Sequence, residues 1–355
     1  MFLCLMMILL VGHIVIGQSS HVCVPCLPQG ITFTTQSQID SFPINHPNCT
    51  QIEGSVIIWS NGIINLNGLN SITAIGGNLD ISHCHALTTM TGFDNLTYVA
   101  GDVDILNCTA LTSLSGLENL TSMGGQLAID SCTLLTNLTG IENLTTIGGG
   151  LTIGRCYLLT SLTGLNKLTS IDGNLVIVWN NVLTNLIGLD SLTHVGNQLW
   201  IFNNDDLTSL SGLDNIDESS ISELWIYDNP SLSNCAVQSI CDYLANPNGT
   251  IAITNNAQGC YNQQQIENAC ATIGVESLAP VPSLTIYPNP VLTTITIENT
   301  TKGIITIYTI GGQQLLQQTI TEPSTSIDVS GWKSGVYLVK VVGERGVSVG
   351  KFLKQ

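Results

Sequence analysis

The sequence predicts an all-β chain, in which a parallel β-solenoid of 24-residue repeats is followed by a small β-sandwich. Three observations predict this fold. The segment Leu-Thr-Ser-Leu-Ser-Gly-Leu at 111–117 recurs in related form every 24 residues, and an apolar–x–Ile motif recurs in the same register. Short alternating apolar runs separated by Gly and Pro occupy the C-terminal end. A repeat of fixed length indicates stacked units that bury one continuous core.

The charge balance excludes two classes of partner. The net charge is −17, and residues 1–279 carry 21 acidic residues against only two basic ones, Arg155 and Lys167. Such a surface repels nucleic acid and anionic lipid, so no nucleic-acid partner is expected. Beyond the N-terminal segment no apolar run is long enough to span a bilayer, so the mature chain is expected to have no integral membrane segment.

The N-terminal segment predicts export. Residues 1–17 are apolar and end in small residues before Gln18, which is typical of a secretory signal peptide. A membrane anchor is the alternative, although about 16 apolar residues are short for one. We expect the chain to be divided into a signal peptide (1–17), an N-terminal cap (18–49), the solenoid (50–234), a C-terminal cap (235–274), a linker (275–283) and a C-terminal domain (284–355).

Each repeat is expected to contain one strand that alternates between core and surface. The apolar–x–Ile motif places two side chains inward and the one between them outward. Its copies are Leu79/Ile81, Val103/Ile105, Leu127/Ile129, Leu151/Ile153, Leu175/Ile177, Leu199/Ile201 and Leu224/Ile226. The outward positions between them are read as Val56, Asp80, Asp104, Ala128, Thr152, Val176, Trp200 and Trp225. The repeated Gly and Thr disfavour a helix.

One column of the repeat changes from cysteine to asparagine along the chain. Its members are Cys84, Cys108, Cys132 and Cys156, followed by Asn180, Asn204 and Asn229. Small polar side chains at such a turn can satisfy backbone groups, so the column predicts a buried ladder of free thiols and amides. Disulfides between neighbouring coils are the alternative.

The remaining cysteines flank the repeats. Cys49 is expected to pair with Cys23 or Cys26, and the even set Cys235, Cys241, Cys260 and Cys270 predicts two disulfides in the C-terminal cap. The Cys-x-x-Cys spacing at Cys23 and Cys26 has no second ligand pair, so no metal site is predicted.

Residues 49–230 resemble the receptor L-domain family and, more distantly, leucine-rich repeats. The resemblance rests on Cys49 followed by Ile52-Glu53-Gly54, and on Gly-Asn-Leu-x-Ile at 77–81 and 173–177. It implies a short right-handed β-helix that binds proteins or glycans.

Residues 284–355 resemble the type A sorting domain of type IX secretion. The matching residues are Pro288, Asn289, Pro290, Gly311, Gly335, Tyr337, Lys351 and Lys354, after the Pro-rich linker 279–282. The resemblance implies a small Ig-like sandwich, the type IX secretion machinery as a partner, and a secreted or cell-surface location. From the residues alone, the alternating runs predict about seven strands.

Catalytic chemistry is poorly represented. No nucleophile motif accompanies the histidines, no catalytic residue can be named, and no cofactor is expected. The outward Asp80 and Asp104 are expected to stack on adjacent coils, where general acid–base catalysis is an alternative to a solvated pair. We therefore predict a chain that is not an enzyme, with a carbohydrate-active β-helix enzyme as the alternative.

Aromatic residues mark one end of the strand face. Outward positions become aromatic in the last coils, and the candidate ligand-binding residues are Trp179, Trp200, Phe202, Trp225 and Tyr227. Such clusters bind sugars or anchor protein partners. Burial under the C-terminal cap is the alternative. The sequence thus predicts a surface-attached binding or adhesion module for an extracellular protein or glycan, with a structural stalk as a further alternative.

Overall fold

The computed structural model describes residues 25–271, 284–298, 303–322, 324–343 and 346–355, without the side chains of 346–347. The predicted signal peptide, Cys23 and the predicted linker 275–283 lie outside the described residues. The chain divides into two compact units at Ala271–Thr272, and each unit has its own hydrophobic core.

The first unit consists of short parallel strands, usually one of two residues and one of four or five in each coil. In chain order they are β1 Pro25–Cys26, β2 Ile31–Phe33, β3 Gln51–Ile52, β4 Val56–Trp59, β5 Ala74–Ile75, β6 Leu79–Ser82, β7 Tyr98–Val99, β8 Val103–Leu106, β9 Ser122–Met123, β10 Leu127–Asp130, β11 Thr146–Ile147, β12 Leu151–Gly154, β13 Ser170–Ile171, β14 Leu175–Val178, β15 His194–Val195, β16 Gln198–Phe202, β17 Glu223–Tyr227 and β18 Ile251–Thr254.

These strands form two parallel sheets. The short strands pair in the order β1-β3-β5-β7-β9-β11-β13-β15, and the longer ones pair in the order β18-β17-β16-β14-β12-β10-β8-β6-β4-β2. We call the outer side of the ten-stranded sheet the strand face. The all-β solenoid architecture predicted from the sequence is confirmed, and both sheets extend into the segments that the sequence analysis assigns to the caps.

The strand register aligns equivalent positions of neighbouring coils. Leu127 pairs with Val103 on one side and Leu151 on the other, and Ile129 pairs with Ile105 and Ile153. All of these side chains are buried, which confirms the predicted inward positions. Because successive side chains of a strand point to opposite sides, the residues between them lie on the strand face.

The first outward position was predicted wrongly. Val56 is fully buried and pairs with Leu79, so Ile57, which is 38% exposed, takes the outward position beside Asp80. The offset between these two strands is 23 residues rather than 24. The one-residue difference moves every side chain of β4 to the opposite side from the one predicted.

A glycine column allows neighbouring coils to approach each other. Gly116 has φ +112°, and a Cβ atom at this position would lie 2.2 Å from the backbone of Met90 in the preceding coil. A larger residue fits neither this conformation nor this space, so the glycine recurs in coil after coil.

Helices occur at both ends of the solenoid, where the sequence analysis predicted only caps. They are α1 Gln36–Asn45, α2 Gln238–Ala245 and α3 Gln263–Cys270, with 3₁₀ turns at Asn67–Leu69 and Glu218–Ser220. Thr35 and Gln38 form a capping box at the start of α1. The buried side chains of Ile39 and Phe42 pack this helix against the first coils. These elements cover core residues that an open coil would expose.

The second unit is a small antiparallel β-sandwich of a three-stranded and a four-stranded sheet. Its strands are β19 Thr285–Tyr287, β20 Thr294–Glu298, β21 Gly303–Thr309, β22 Gln314–Ile320, β23 Ser324–Asp328, β24 Gly335–Gly343 and β25 Gly346–Lys354. The sheet orders are β19-β20-β23 and β22-β21-β24-β25. Ile295, Ile305, Val339 and Phe352 contribute to its core.

Candidate ligand-binding face

The aromatic residues of the last coils lie side by side because their strands are in register. Trp200 pairs with Trp225 and Phe202 pairs with Tyr227, while Leu199, Ile201, Leu224 and Ile226 between them are fully buried. The inward side chains therefore fix the rings on the strand face. Together with Trp179, which follows β14, these four rings form what we call the aromatic strip.

The rings of the aromatic strip are in contact with one another. Phe202 and Tyr227 stack in parallel, with ring centroids 4.8 Å apart and planes inclined by 8°. The Trp200 and Trp225 centroids are 5.6 Å apart, and Trp225 meets Tyr227 edge-on at 6.3 Å. Trp179 meets Phe202 edge-on, also at 6.3 Å. Each such pair restricts the rotamers of its rings, so the strip is a rigid surface.

The aromatic strip is accessible to solvent to different degrees along its length. Trp179 is 41% exposed, and the other four rings are partly exposed. Strand β18 of the C-terminal segment pairs with β17 and adds Ala252 beside Trp225 and Thr254 beside Tyr227. This strand thus continues the strand face with smaller side chains next to the strip.

The aromatic strip offers few polar groups. Among the described residues, the indole Nε1 atoms of Trp200 and Trp225 are buried and have no hydrogen-bond acceptor. Desolvation raises the pKa of Tyr227 above its ordinary value. A ligand on the strip would therefore contact mainly apolar ring surface, and its hydrogen bonds would come from neighbouring side chains.

Arg155, in the coil before Trp179, is a polar neighbour of the aromatic strip. The Arg155 guanidinium lies 5.5 Å from the centre of the Trp179 ring, within the range of a cation–π interaction. It also forms an ion pair with Asp130, with Nη2 and Oδ1 2.8 Å apart. This pair was not predicted from the sequence. The repeat register could have indicated it, because the two positions are one repeat and one residue apart.

Arg155 and Trp179 both occupy a left-handed turn after the strand. Their φ angles are 49° and 54°, and the same column contains Asn107, Asn203 and Asn255 in that conformation. Asparagine tolerates the left-handed region, whereas a long or bulky side chain is strained there. The residue after the long strand has a positive φ in every coil from β6 to β18, so this conformation belongs to the repeat as a whole.

Carboxylates occupy the middle of the strand face. Asp80 and Asp104 pair on adjacent strands as predicted, and Gln126 donates a hydrogen bond from Nε2 to Oδ1 of Asp104 at 3.3 Å. Burial, reinforced by the charges of Asp102 and Asp80, raises the pKa of Asp104. Within the residues that the structure describes, no group of three or more His, Cys, Asp or Glu side chains could hold a metal ion.

The cysteines divide into disulfides and free thiols. Cys49 pairs with Cys26, and the C-terminal segment contains Cys235–Cys260 and Cys241–Cys270. The four ladder cysteines are free and buried. Burial raises the pKa of Cys156 to about 12, and a hydrogen bond that the Cys108 thiol donates to Cys132 raises the pKa of Cys108 to about 12.

Asn289 of the predicted sorting-domain residues connects the start and the end of the second unit. Asn289, between Pro288 and Pro290, donates to the backbone carbonyl of Lys351 and accepts from the backbone N–H of Leu353. These two bonds join the beginning of the sandwich to its last strand.

The other sorting-domain residues lie in turns and strands of the same unit. The Tyr337 hydroxyl donates to the carbonyl of Lys333 at 2.6 Å, and the Lys354 side chain is buried. Gly311 lies in the turn before β22, and Gly335 begins β24.

Comparison with known proteins identifies both units. A receptor L domain family model matches residues 48–120 and 169–272, and a secretion system C-terminal sorting domain model matches residues 285–355. No curated protein gives a significant match. Across the described part of the chain, no helix has the length and apolar character needed to cross a membrane.

Sorting domains of this family mark proteins that type IX secretion exports to the cell surface or the medium. The location and the secretion partner predicted from the sequence follow directly. The chain is therefore an exported, surface-directed protein that joins receptor L domain repeats to a type IX secretion sorting domain.

Proposed function

We propose that the solenoid binds an extracellular glycan through the aromatic strip, as the recognition part of a surface-directed protein. The observation that carries the proposal is the strip itself. Five rings in mutual contact occupy successive coils, whereas the preceding outward positions are Asp104, Ala128, Thr152 and Val176. Contiguous aromatic surface on a rigid scaffold is a common basis of recognition.

The chemistry around the strip suits a glycan. Trp179 at the edge of the strip adjoins the ion pair of Arg155 and Asp130, so apolar ring surface and polar groups lie next to each other. Sugars combine apolar ring faces with many hydroxyl groups, so they need aromatic and polar contacts in alternation. The strand face provides both within neighbouring coils.

Rigidity supports a binding role. The rings stand on parallel strands whose inward neighbours are fully buried, and ring contacts restrict their rotamers. Little conformational entropy would therefore be lost on binding. Both matched families are non-catalytic, and we infer that the chain acts by binding rather than by catalysis.

A glycan array probed with the exported protein and with two variants tests the proposal. Trp179→Ala should weaken binding about thirtyfold, because loss of an aromatic anchor commonly costs about 2 kcal/mol. Trp59→Ala is the matched control, since Trp59 is 54% exposed at the other end of the same sheet. Equal binding by Trp179→Ala, or no glycan bound at all, would contradict the proposal; binding to a protein instead would support the alternative partner.

A further inference from the structure

A polar groove lies on the strand face one coil before the aromatic strip. It has a volume of about 490 Å³. Its polar lining consists of Asn107, Gln126, Asp130, Ser131, Thr152 and Arg155. These residues come from three consecutive coils, so the groove crosses the strands of β8, β10 and β12 rather than following one of them.

The groove and the aromatic strip are continuous through Arg155. Its guanidinium lies over Trp179 on one side and binds Asp130 on the other. Its Nε also lies 3.2 Å from the Ser131 hydroxyl, and that hydroxyl donates to Asp130 at 2.6 Å. Arginine, carboxylate and hydroxyl thus hold one another in place where the apolar strip meets the groove.

The positive charge of Arg155 is already matched within the groove. Asp130 accepts from Arg155, and Gln126 connects the groove to the carboxylate of Asp104. Residues 1–279 contain only one other basic residue, Lys167. An anionic ligand would therefore meet two carboxylates without a free cation, whereas hydroxyl groups can both donate to carboxylates and accept from the amide and guanidinium.

We propose that this groove is a second subsite, which binds the hydroxyl groups of a neutral sugar unit of a chain whose neighbouring units lie on the aromatic strip. The inference rests on the proposed glycan-binding function. It assigns the apolar contacts to the strip and the hydrogen bonds to the groove.

Chain length and sugar charge are the variables that test the subsite. The probes are neutral β-1,4-linked oligomers of glucose, mannose and N-acetylglucosamine, from disaccharide to hexasaccharide, with β-1,4-linked oligomannuronates as the acidic counterpart of the mannose series. Calorimetric titration of the full-length protein should show affinity that rises with length for a neutral series. The acidic series should bind at least about tenfold more weakly, because about 1.4 kcal/mol of repulsion corresponds to that ratio.

Thr152→Val removes one groove hydroxyl while keeping a β-branched side chain on the strand. It should weaken binding of the longest neutral oligomer about fivefold, the effect of losing a typical hydrogen bond, and leave the shortest ligand unaffected. Thr146→Val, an exposed threonine in the other sheet, is the matched control and should change nothing.

The outcomes separate the two proposals. Loss of binding in Trp179→Ala, with no effect of Thr152→Val at any length, overturns the subsite and leaves the proposed function standing. Tighter binding of the acidic series overturns the neutral ligand class. Absence of binding by every oligomer overturns both proposals.

Discussion

Trp179 shows a conflict between local backbone preference and side-chain role. Its φ of 54° lies in the left-handed region, where the next coil has Asn203. Replacement of Trp179 by Asn copies the neighbouring coil and relieves about 1–2 kcal/mol of strain, which offsets most of the lost contacts with Phe202 and Arg155, together about 1–2.5 kcal/mol. We expect Trp179→Asn to leave the melting temperature almost unchanged while glycan affinity falls about thirtyfold. A large loss of stability would show that the ring is structural.

Asp104 makes stability depend on pH. Its pKa in the folded chain is raised by burial, so the folded state holds the proton more tightly than the unfolded state does. Stability therefore falls as pH rises from the ordinary value of 3.8 through the raised pKa, and the deficit persists at neutral pH.

Asp104→Asn should remove that deficit. The variant should melt at a higher temperature than the wild type at neutral pH, and the two should converge below the ordinary carboxyl pKa. The asparagine side-chain oxygen can still accept the hydrogen bond from Gln126. A variant that is less stable at neutral pH would indicate that the carboxylate is favourable in the fold.

The Cys–Asn ladder is the element that fixes one turn of each coil. Asn204 is fully buried, donates to the carbonyls of Ile177 and Phe202, and accepts from the backbone N–H of Asn180 at 3.0 Å. Asn204→Ala leaves these groups unpaired and should lower the free energy of unfolding by about 3 kcal/mol.

Asn204→Cys should lower the free energy of unfolding less than Asn204→Ala does. Cys132 occupies the equivalent position of another coil, with its sulfur 3.6 Å from the carbonyl of Ile105. Denaturant unfolding of both variants compares the two substitutions. If alanine and cysteine destabilise the chain equally, the ladder hydrogen bonds are not what stabilises the turn.

Periodicity predicted the repeating elements well and the local exceptions poorly. The inward Leu and Ile columns follow from alternation and spacing alone, because one face of every strand is buried. Val56 was misplaced because the first offset is one residue short, and the cap helices have no repeat to reveal them. The Arg155–Asp130 pair was missed because its members are one repeat and one residue apart and so lie in different columns of the repeat. The right-handed twist implied by the family resemblance stays a prediction.

At the scale of the whole molecule, the two units have separate cores and separate roles. The second unit is a complete sandwich with its own buried residues, and its family directs export. A chain truncated after residue 283 should keep the thermal unfolding of the solenoid but remain in the periplasm. Cell fractionation and calorimetry measure the two effects, with the untruncated chain as control. Normal surface display of the truncated chain would mean that another segment directs export.

The central claim is that the ligand lies on the aromatic strip, and hydroxyl-radical footprinting of the tryptophans tests it most directly. Trp59 and Trp179 are both well exposed, at 54% and 41%, so both should be oxidised in the free protein. With a saturating glycan from the array, oxidation of Trp179 should fall several-fold while that of Trp59 stays unchanged. Unchanged oxidation of Trp179 in the saturated complex, or protection of Trp59 in its place, would contradict the account.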